Sequence, residues 1–140
     1  MTIPMLLGKL HRATCTGADL HYEGSISIDP VLIEAAGFRP LQQIEIYNID
    51  NGERFSTYII HGQSGEVGLN GAAARRVQKG DKLILCAYGQ VPLDQADNHT
   101  ARIVLLGDGN QIQQAFTQSA DPRRANTPLE GAQGVAGHEV

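Results

Sequence analysis

Hydrophobic and polar positions alternate in short runs along most of the chain, a pattern typical of β-strands that bury one face. Residues 43–49 alternate in this way, and residues 53–61 form a second such run after Asn51-Gly52. An Asn-Gly pair tolerates the positive φ angles of a tight turn, so the two runs are predicted to form a β-hairpin. Further strands are predicted at residues 5–15, 25–29, 82–88 and 101–106.

One short helix is predicted after the strand at residues 25–29. Asp29 can accept hydrogen bonds from the first free amides of a helix, and Pro30 suits the first helical position. Residues 31–36 continue the pattern, and Gly37 suits the left-handed residue that commonly ends a helix. The prediction is therefore a mainly β domain with short helices.

The amino-acid composition changes near the C-terminal end of the sequence. From Thr117 onward the strongly apolar residues are Leu129, Val135 and Val140, which is too little to bury against a core. We therefore expect one domain over residues 1–116 and a flexible, disordered tail over residues 117–140.

Composition and charge narrow the classes of function. The 140 residues suffice for one domain, and 11 Lys and Arg against 15 Asp and Glu give a net charge of −4. That sign argues against nucleic acid as a partner. Cys15 and Cys86 lack a CxxC spacing, and the N-terminal apolar run is too short for a signal peptide or a membrane span. These features predict a cytoplasmic protein without a membrane partner.

Conventional catalytic patterns do not assign a function. His11, Asp19 and His21 carry suitable metal-ligating groups, but their order matches no recognised ligand spacing, so no metal site is predicted. Ser25 lacks the GxSxG elbow of the α/β-hydrolases, and the glycine-rich segments carry no phosphate-binding fingerprint.

Four blocks in order give a more specific signal: GKLHRATCT, ADLHYEGSISID, NGERFSTYII and LNGAAARRVQKGD. Together they resemble the pyruvoyl-dependent aspartate 1-decarboxylase family, and the resemblance covers roughly residues 5–87. It implies a double-psi β-barrel that assembles as a homotetramer. The implied reaction decarboxylates L-aspartate to β-alanine and CO2, and it feeds pantothenate and coenzyme A synthesis.

The resemblance also implies that the chain cuts itself between Gly24 and Ser25. The Ser25 hydroxyl lies beside the carbonyl of the preceding residue, and Gly24 has no Cβ to obstruct the attack. Ser25 then becomes the covalent pyruvoyl group, which forms a Schiff base with the substrate amine. Thr57 and Asn70 are the further processing residues that the resemblance implies, and His21 and Tyr22 lie close enough to the cut to position it.

Substrate-binding residues carry over from the same blocks. Arg54 offers a planar fork that matches a carboxylate, and Lys9 supplies a second cation. Tyr58 is implied as the proton donor. Contacts to substrate are implied for Thr57 and for the small residues Gly71, Ala72 and Ala73.

Strand geometry constrains this set. In a regular strand Arg54 and Tyr58 face one way and Thr57 faces the other, so a flat strand cannot present both Thr57 and Tyr58 to one pocket. We expect either a bulge near this pair or a site between subunits, and the implied tetramer favours the second. The neighbouring Arg75-Arg76 adds positive charge that either steers the anionic substrate or is simply solvated.

Two alternatives stay open from the sequence. Small β-barrels also serve as non-enzymatic binding or regulatory modules, and such a module needs no cut at residue 24. A pyruvoyl decarboxylase of another amino acid is the second, because Arg54 favours a dicarboxylic substrate without choosing between aspartate and glutamate. The sequence does not identify a maturation factor.

Overall fold

The computed structural model describes residues 1–21 and 24–129. Within those ranges the chain forms ten strands, one α-helix and three short 3₁₀ helices. The strands are β1 (Thr2–Thr14), β2 (Gly17–Asp19), β3 (Ser25–Ile28), β4 (Gln43–Asn48), β5 (Arg54–His61), β6 (Val67–Asn70), β7 (Lys82–Pro92), β8 (Thr100–Leu106), β9 (Ile112–Ser119) and β10 (Thr127–Pro128). The α-helix, α1, spans Pro30–Ala36, and the 3₁₀ helices span Gly71–Arg76, Leu93–Asn98 and Asp108–Asn110.

All ten strands join in the order β10-β9-β8-β1-β7-β4-β5-β3-β6-β2. Most neighbours are antiparallel, but β1 and β8, β3 and β5, and β2 and β6 pair in parallel. The predicted hairpin is confirmed as β4 and β5, and the prediction of a mainly β fold is confirmed as well.

The core follows the alternation read from the sequence. Ile44 and Ile46 of β4 are fully buried, whereas their neighbours on the strand face outward. Strand β3 differs, because all four of its residues are buried and so both of its faces are covered. Its outward residues, Ser25 and Ser27, are therefore polar groups that need hydrogen-bond partners inside the protein.

Helix α1 begins and ends where its capping residues predict. Asp29 accepts a hydrogen bond from the Val31 amide at 2.9 Å, and its second oxygen accepts one from the Gly65 amide at 2.8 Å. Gly37 ends the helix with a φ of +72°, which favours glycine over any residue that carries a Cβ. Asp29 thus joins the helix start to the loop that precedes β6.

The expected boundary between domain and tail does not coincide with the end of regular structure. The expected boundary after residue 116 falls inside β9, and β10 returns to pair with it through Thr127 and Thr117. Leu129 packs against the core, and its amide donates to the Ala115 carbonyl at 2.9 Å. Sequence composition missed this return because two backbone pairings and one leucine hold it. The rest of the predicted tail, residues 130–140, lies outside the described residues.

No helix among the described residues is long and apolar enough to span a membrane.

The close approach of β1 to α1 generates a stability prediction. A Cβ added at Gly8 would lie 2.3 Å from the Ala36 carbonyl oxygen, so the strand or the helix would have to move. We expect Gly8→Ala to lower the free energy of unfolding by about 1–3 kcal/mol, the usual cost of overpacking. Chemical denaturation at a fixed protein concentration measures it. Gly17→Ala is the matched control, because a Cβ there meets nothing within 4 Å, and equal losses in the two variants would contradict the prediction.

Candidate active site

Ser25 and Asn70 face each other across the antiparallel pair β3 and β6. The Asn70 side-chain amide donates to the Ser25 hydroxyl at 2.9 Å and to the Ser27 hydroxyl at 3.0 Å. An amide nitrogen carries two protons, so one side chain can serve both hydroxyls at once. Only 1% of Ser25 is exposed, so this contact fixes a hydroxyl that has little access to bulk water.

Gly24 precedes this buried serine and is exposed. Apart from its two chain neighbours, no atom of the described residues lies within 4 Å of a Cβ added at Gly24. His21, three residues before Gly24, is exposed, and its amide donates to the Asp19 carboxylate at 3.0 Å. Tyr22 lies outside the described residues.

Tyr58 lies on the strand beside Ser25. Strand β3 runs parallel to β5 with Ile26 opposite Ile59, and both isoleucines are buried in the core. The preceding residue on each strand, Ser25 and Tyr58, therefore faces away from the core on the same side. The structure brings together the expected pyruvoyl precursor and the expected proton donor.

Thr57 points in the opposite direction from Tyr58. It pairs with the buried Ile44, and the ladder between β4 and β5 runs without a register shift. The bulge considered from the sequence is therefore absent from this hairpin, and that alternative is wrong. The other alternative, a site between subunits, stays a prediction.

The segment Gly71–Arg76 follows Asn70 directly as a 3₁₀ helix. Gly71 takes a φ of +67°, the left-handed conformation that favours glycine, and so turns the chain sharply at the end of β6. Of the three small residues implied for substrate contact, Gly71 is buried, Ala72 is exposed and Ala73 packs in part against the core. The turn lies against β5.

The two expected cations lie on the outer face of the sheet. Across β1, β7, β4 and β5 one row contains Lys9, Cys86, Glu45 and Ser56, and the next contains His11, Ile84, Tyr47 and Arg54. Arg54 is exposed and Lys9 is half-buried. Strand β1 is four places from β3 in the sheet order, so Lys9 and Ser25 lie on strands that do not pair with each other.

Two tyrosines on this face escaped the sequence analysis. The Arg54 guanidinium carbon lies 3.9 Å from the centre of the Tyr47 ring, and the Tyr47 hydroxyl shares a 2.9 Å hydrogen bond with the Tyr88 hydroxyl. Partial burial and the hydrogen bond to Tyr47 raise the pKa of Tyr88. The available signal was the hairpin turn, whose register pairs Tyr47 with Arg54.

Burial is the main cause of the pKa shifts of the two cysteines. Burial raises the pKa of the Cys86 thiol, whereas the nearby charges of Lys9 and Arg54 lower it. Burial also raises the pKa of Cys15, and both cysteines are free thiols. Across residues 1–21 and 24–129, no three His, Cys, Asp or Glu side chains form a group that could hold a metal ion.

Arg76 has a structural partner. It forms an ion pair with Glu53, and its carbonyl accepts hydrogen bonds from the Asn48 and Asn51 side chains at 3.2 and 3.0 Å. These contacts join the end of the 3₁₀ turn to the β4–β5 hairpin. Arg75 is exposed.

Comparison with known proteins gives a consistent family. A family model described as aspartate decarboxylase matches residues 1–113. The aspartate 1-decarboxylase of Ralstonia nicotianae is 58% identical over 112 residues, which cover 79% of this chain and 93% of the relative. That of Polynucleobacter asymbioticus is 57% identical with the same coverage, and that of Bdellovibrio bacteriovorus is 52% identical over 80% of this chain and 90% of the relative. The strand-rich fold with short helices is consistent with the double-psi β-barrel of that family.

The environment of His11 generates a pH prediction. Burial lowers its pKa from the ordinary 6.5, the charges of Lys9 and Arg12 lower it further, and its Nδ1 atom is buried without a hydrogen-bond partner among the described residues. The unfolded chain therefore takes up this proton first, and stability falls as the pH drops below 6.5 towards the folded-state pKa. We expect His11→Gln to flatten the decline in unfolding free energy between about pH 7 and 5.

Urea titrations at several pH values measure this decline. His61→Gln, on an exposed strand end, is the control and should keep the wild-type profile. A wild-type profile in His11→Gln would contradict the prediction.

Proposed function

The chain belongs to the aspartate decarboxylase family, and we propose that it decarboxylates L-aspartate to β-alanine and CO2 with a pyruvoyl group made from its own Ser25. The product feeds pantothenate and coenzyme A synthesis. The observation that carries the proposal is the buried Ser25 hydroxyl, which accepts a hydrogen bond from Asn70 and directly follows the exposed Gly24. We also propose a cytoplasmic location, where the thiols of Cys15 and Cys86 stay reduced.

The cleavage uses atoms that are already adjacent in the chain. The Ser25 Oγ attacks the Gly24 carbonyl carbon, the bond to the Ser25 nitrogen breaks, and the nitrogen takes the hydroxyl proton. The resulting ester loses the Ser25 Cα proton and releases the Gly24 carboxylate from Cβ. Water then replaces the nitrogen at Cα, and ammonia leaves.

The contacts of Ser25 fit these reaction steps. The Asn70 amide fixes the hydroxyl at 2.9 Å in a site that excludes most water, and the missing Cβ at Gly24 leaves one side of the carbonyl unobstructed. Thr57 lies on the strand that pairs with β3, and we propose that it supports the processing site from the inner face of that strand. The ketone formed at residue 25 supplies the electron sink for the pair released when CO2 leaves.

Tyr58 is proposed as the proton donor after CO2 departs. A tyrosine hydroxyl can donate a proton as well as accept a hydrogen bond. Tyr58 precedes Ile59 on β5 as Ser25 precedes Ile26, its partner in the ladder, on β3. Its exposed fraction of 36% leaves the ring accessible to a substrate.

The substrate carboxylates are proposed to bind Arg54 and Lys9. Arg54 provides a bidentate fork and Lys9 a point charge. Backbone groups of Gly71, Ala72 and Ala73 complete the pocket together with Thr57, because small side chains let a carboxylate approach the amides.

Assembly into a homotetramer is part of the proposal. Lys9 lies on β1 and Ser25 on β3, two strands that do not pair with each other in the sheet. A site between subunits lets Lys9 of one protomer serve Ser25 of another. The continuous β4–β5 register supports the same arrangement, because no bulge reorients Thr57.

Self-processing is tested by intact mass under denaturing conditions. We expect two fragments, residues 1–24 and residues 25–140, with the second lighter by one ammonia than a chain that starts with serine. Ser25→Ala should stay whole, because it lacks the attacking oxygen. A wild-type chain that stays whole after prolonged warming, and also when it is expressed in a bacterial cytosol together with the host's own proteins, would contradict the proposal. Cleavage only in the presence of those host proteins would indicate a maturation factor.

The role of Tyr58 is tested with Tyr58→Phe, which removes only the hydroxyl. Cleavage should be normal, and borohydride should still link aspartate covalently to residue 25. We expect β-alanine production to fall by about 10²–10⁴-fold, the usual value of general-acid help. Ser56→Ala, on the same outer face of β5, should keep near wild-type turnover. Turnover of Tyr58→Phe within about threefold of wild type would assign the proton to water or to another group.

A further inference from the structure

Arg54 is held by an aromatic face and not by an acid. Its guanidinium carbon lies 3.9 Å from the centre of the Tyr47 ring, well inside the roughly 6 Å over which a cation and a π face attract. Among the described residues, no hydrogen bond or ion pair occupies its N–H groups. Arg76 and Arg102 differ, because Glu53 and the Ala35 carbonyl engage them.

This geometry divides the guanidinium into two parts. A separation of 3.9 Å between the guanidinium carbon and the ring centre suits the stacked arrangement that arginine adopts on aromatic faces, in which the N–H donors lie in the plane of the group and point away from the ring. A carboxylate binds in that plane through two parallel hydrogen bonds. The face contact therefore restrains Arg54 without using the donors that a substrate needs, whereas an acidic partner would occupy them.

Tyr47 is itself restrained. It lies on β4 between Arg54 on β5 and Ile84 on β7, and its hydroxyl meets that of Tyr88, four residues further along β7. The hydrogen bond of 2.9 Å is of ordinary length for hydroxyl groups. Three side chains from three neighbouring strands thus form one chain of contacts that ends at the guanidinium edge.

We propose that Tyr47, fixed by Tyr88, is a positioning residue that presents the donor edge of Arg54 to a carboxylate of the substrate. The inference rests on the proposed function and extends it to residues that touch Arg54 but not the reacting atoms. An arginine held in advance loses less side-chain freedom when the substrate binds, so the contact strengthens binding more than it accelerates the chemical step.

The central test compares Tyr47→Leu with Tyr47→Phe in fully processed protein. Leucine removes the π face, and we expect it to raise KM for aspartate about 2- to 30-fold, the range of a cation–π contact, while kcat changes little. Phenylalanine keeps the face and loses only the hydroxyl, so its effect should be smaller and should match that of Tyr88→Phe. Tyr47→Trp should restore tight binding, because indole is the best cation–π partner.

A second readout avoids turnover altogether. Succinate has two carboxylates and no amine, so calorimetry measures the carboxylate site alone. Succinate affinity should fall in Tyr47→Leu and in Arg54→Met, and the double variant should bind no more weakly than Arg54→Met, because Tyr47 acts only through Arg54. Extent of cleavage and melting temperature are recorded for each variant to exclude a folding defect.

The outcomes separate the two proposals. Equal affinities for Tyr47→Leu and wild type, with a loss in Arg54→Met, would overturn the positioning role and leave the proposed function standing. Additive losses in the double variant, or equal effects of leucine and phenylalanine, would likewise show that Tyr47 acts by packing. Unchanged succinate binding in Arg54→Met would remove Arg54 from the substrate site and overturn the positioning role, whereas the intact-mass and turnover measurements would still decide the proposed function.

Discussion

The placement of strand β3 is the constraint on which the rest of the site depends. It pairs in parallel with β5 and antiparallel with β6, so it brings Ser25 beside Tyr58 on one side and opposite Asn70 on the other. Both faces of β3 are buried, which leaves its two serine hydroxyls dependent on protein partners. One Asn70 amide meets that need, and the chain turns at Gly71 immediately afterwards. The pairing of β3 with β6 therefore contributes both to the core and to the proposed chemistry.

The outer face of the sheet follows a different rule. Inside, aliphatic side chains interlock, whereas outside the strands carry Lys9, Glu45, Tyr47 and Arg54 in adjacent rows. Cations that are not paired with acids are costly to bury and useful where an anion must bind. The Tyr47 ring restrains Arg54 and adds no opposing charge, so the guanidinium stays available to an anion.

Local signals predicted the elements that depend on neighbours in sequence. The Asn51-Gly52 turn specified the hairpin, and Asp29, Pro30 and Gly37 specified the bounds of α1. Short strands with weak patterns were missed: β2 and β6 span three and four residues, and each contains a glycine. The hydrogen bond between Asn70 and Ser25 joins residues 45 positions apart, so it follows from tertiary pairing and not from any local pattern. The proposed contribution of Asn70 to processing was predicted only through the family resemblance, and its contact with Ser27 was not foreseen.

Strand alternation also predicted which candidate site residues share a face of β5. It predicted Arg54 and Tyr58 on one face and Thr57 on the other, and the unbroken β4–β5 ladder maintains that division. A pocket on one face of β5 therefore meets either the outer residues or the inner one, and Lys9 lies three places away on β1. This division supports the proposed site between subunits, because a second protomer would supply the residues that one face of the strand lacks.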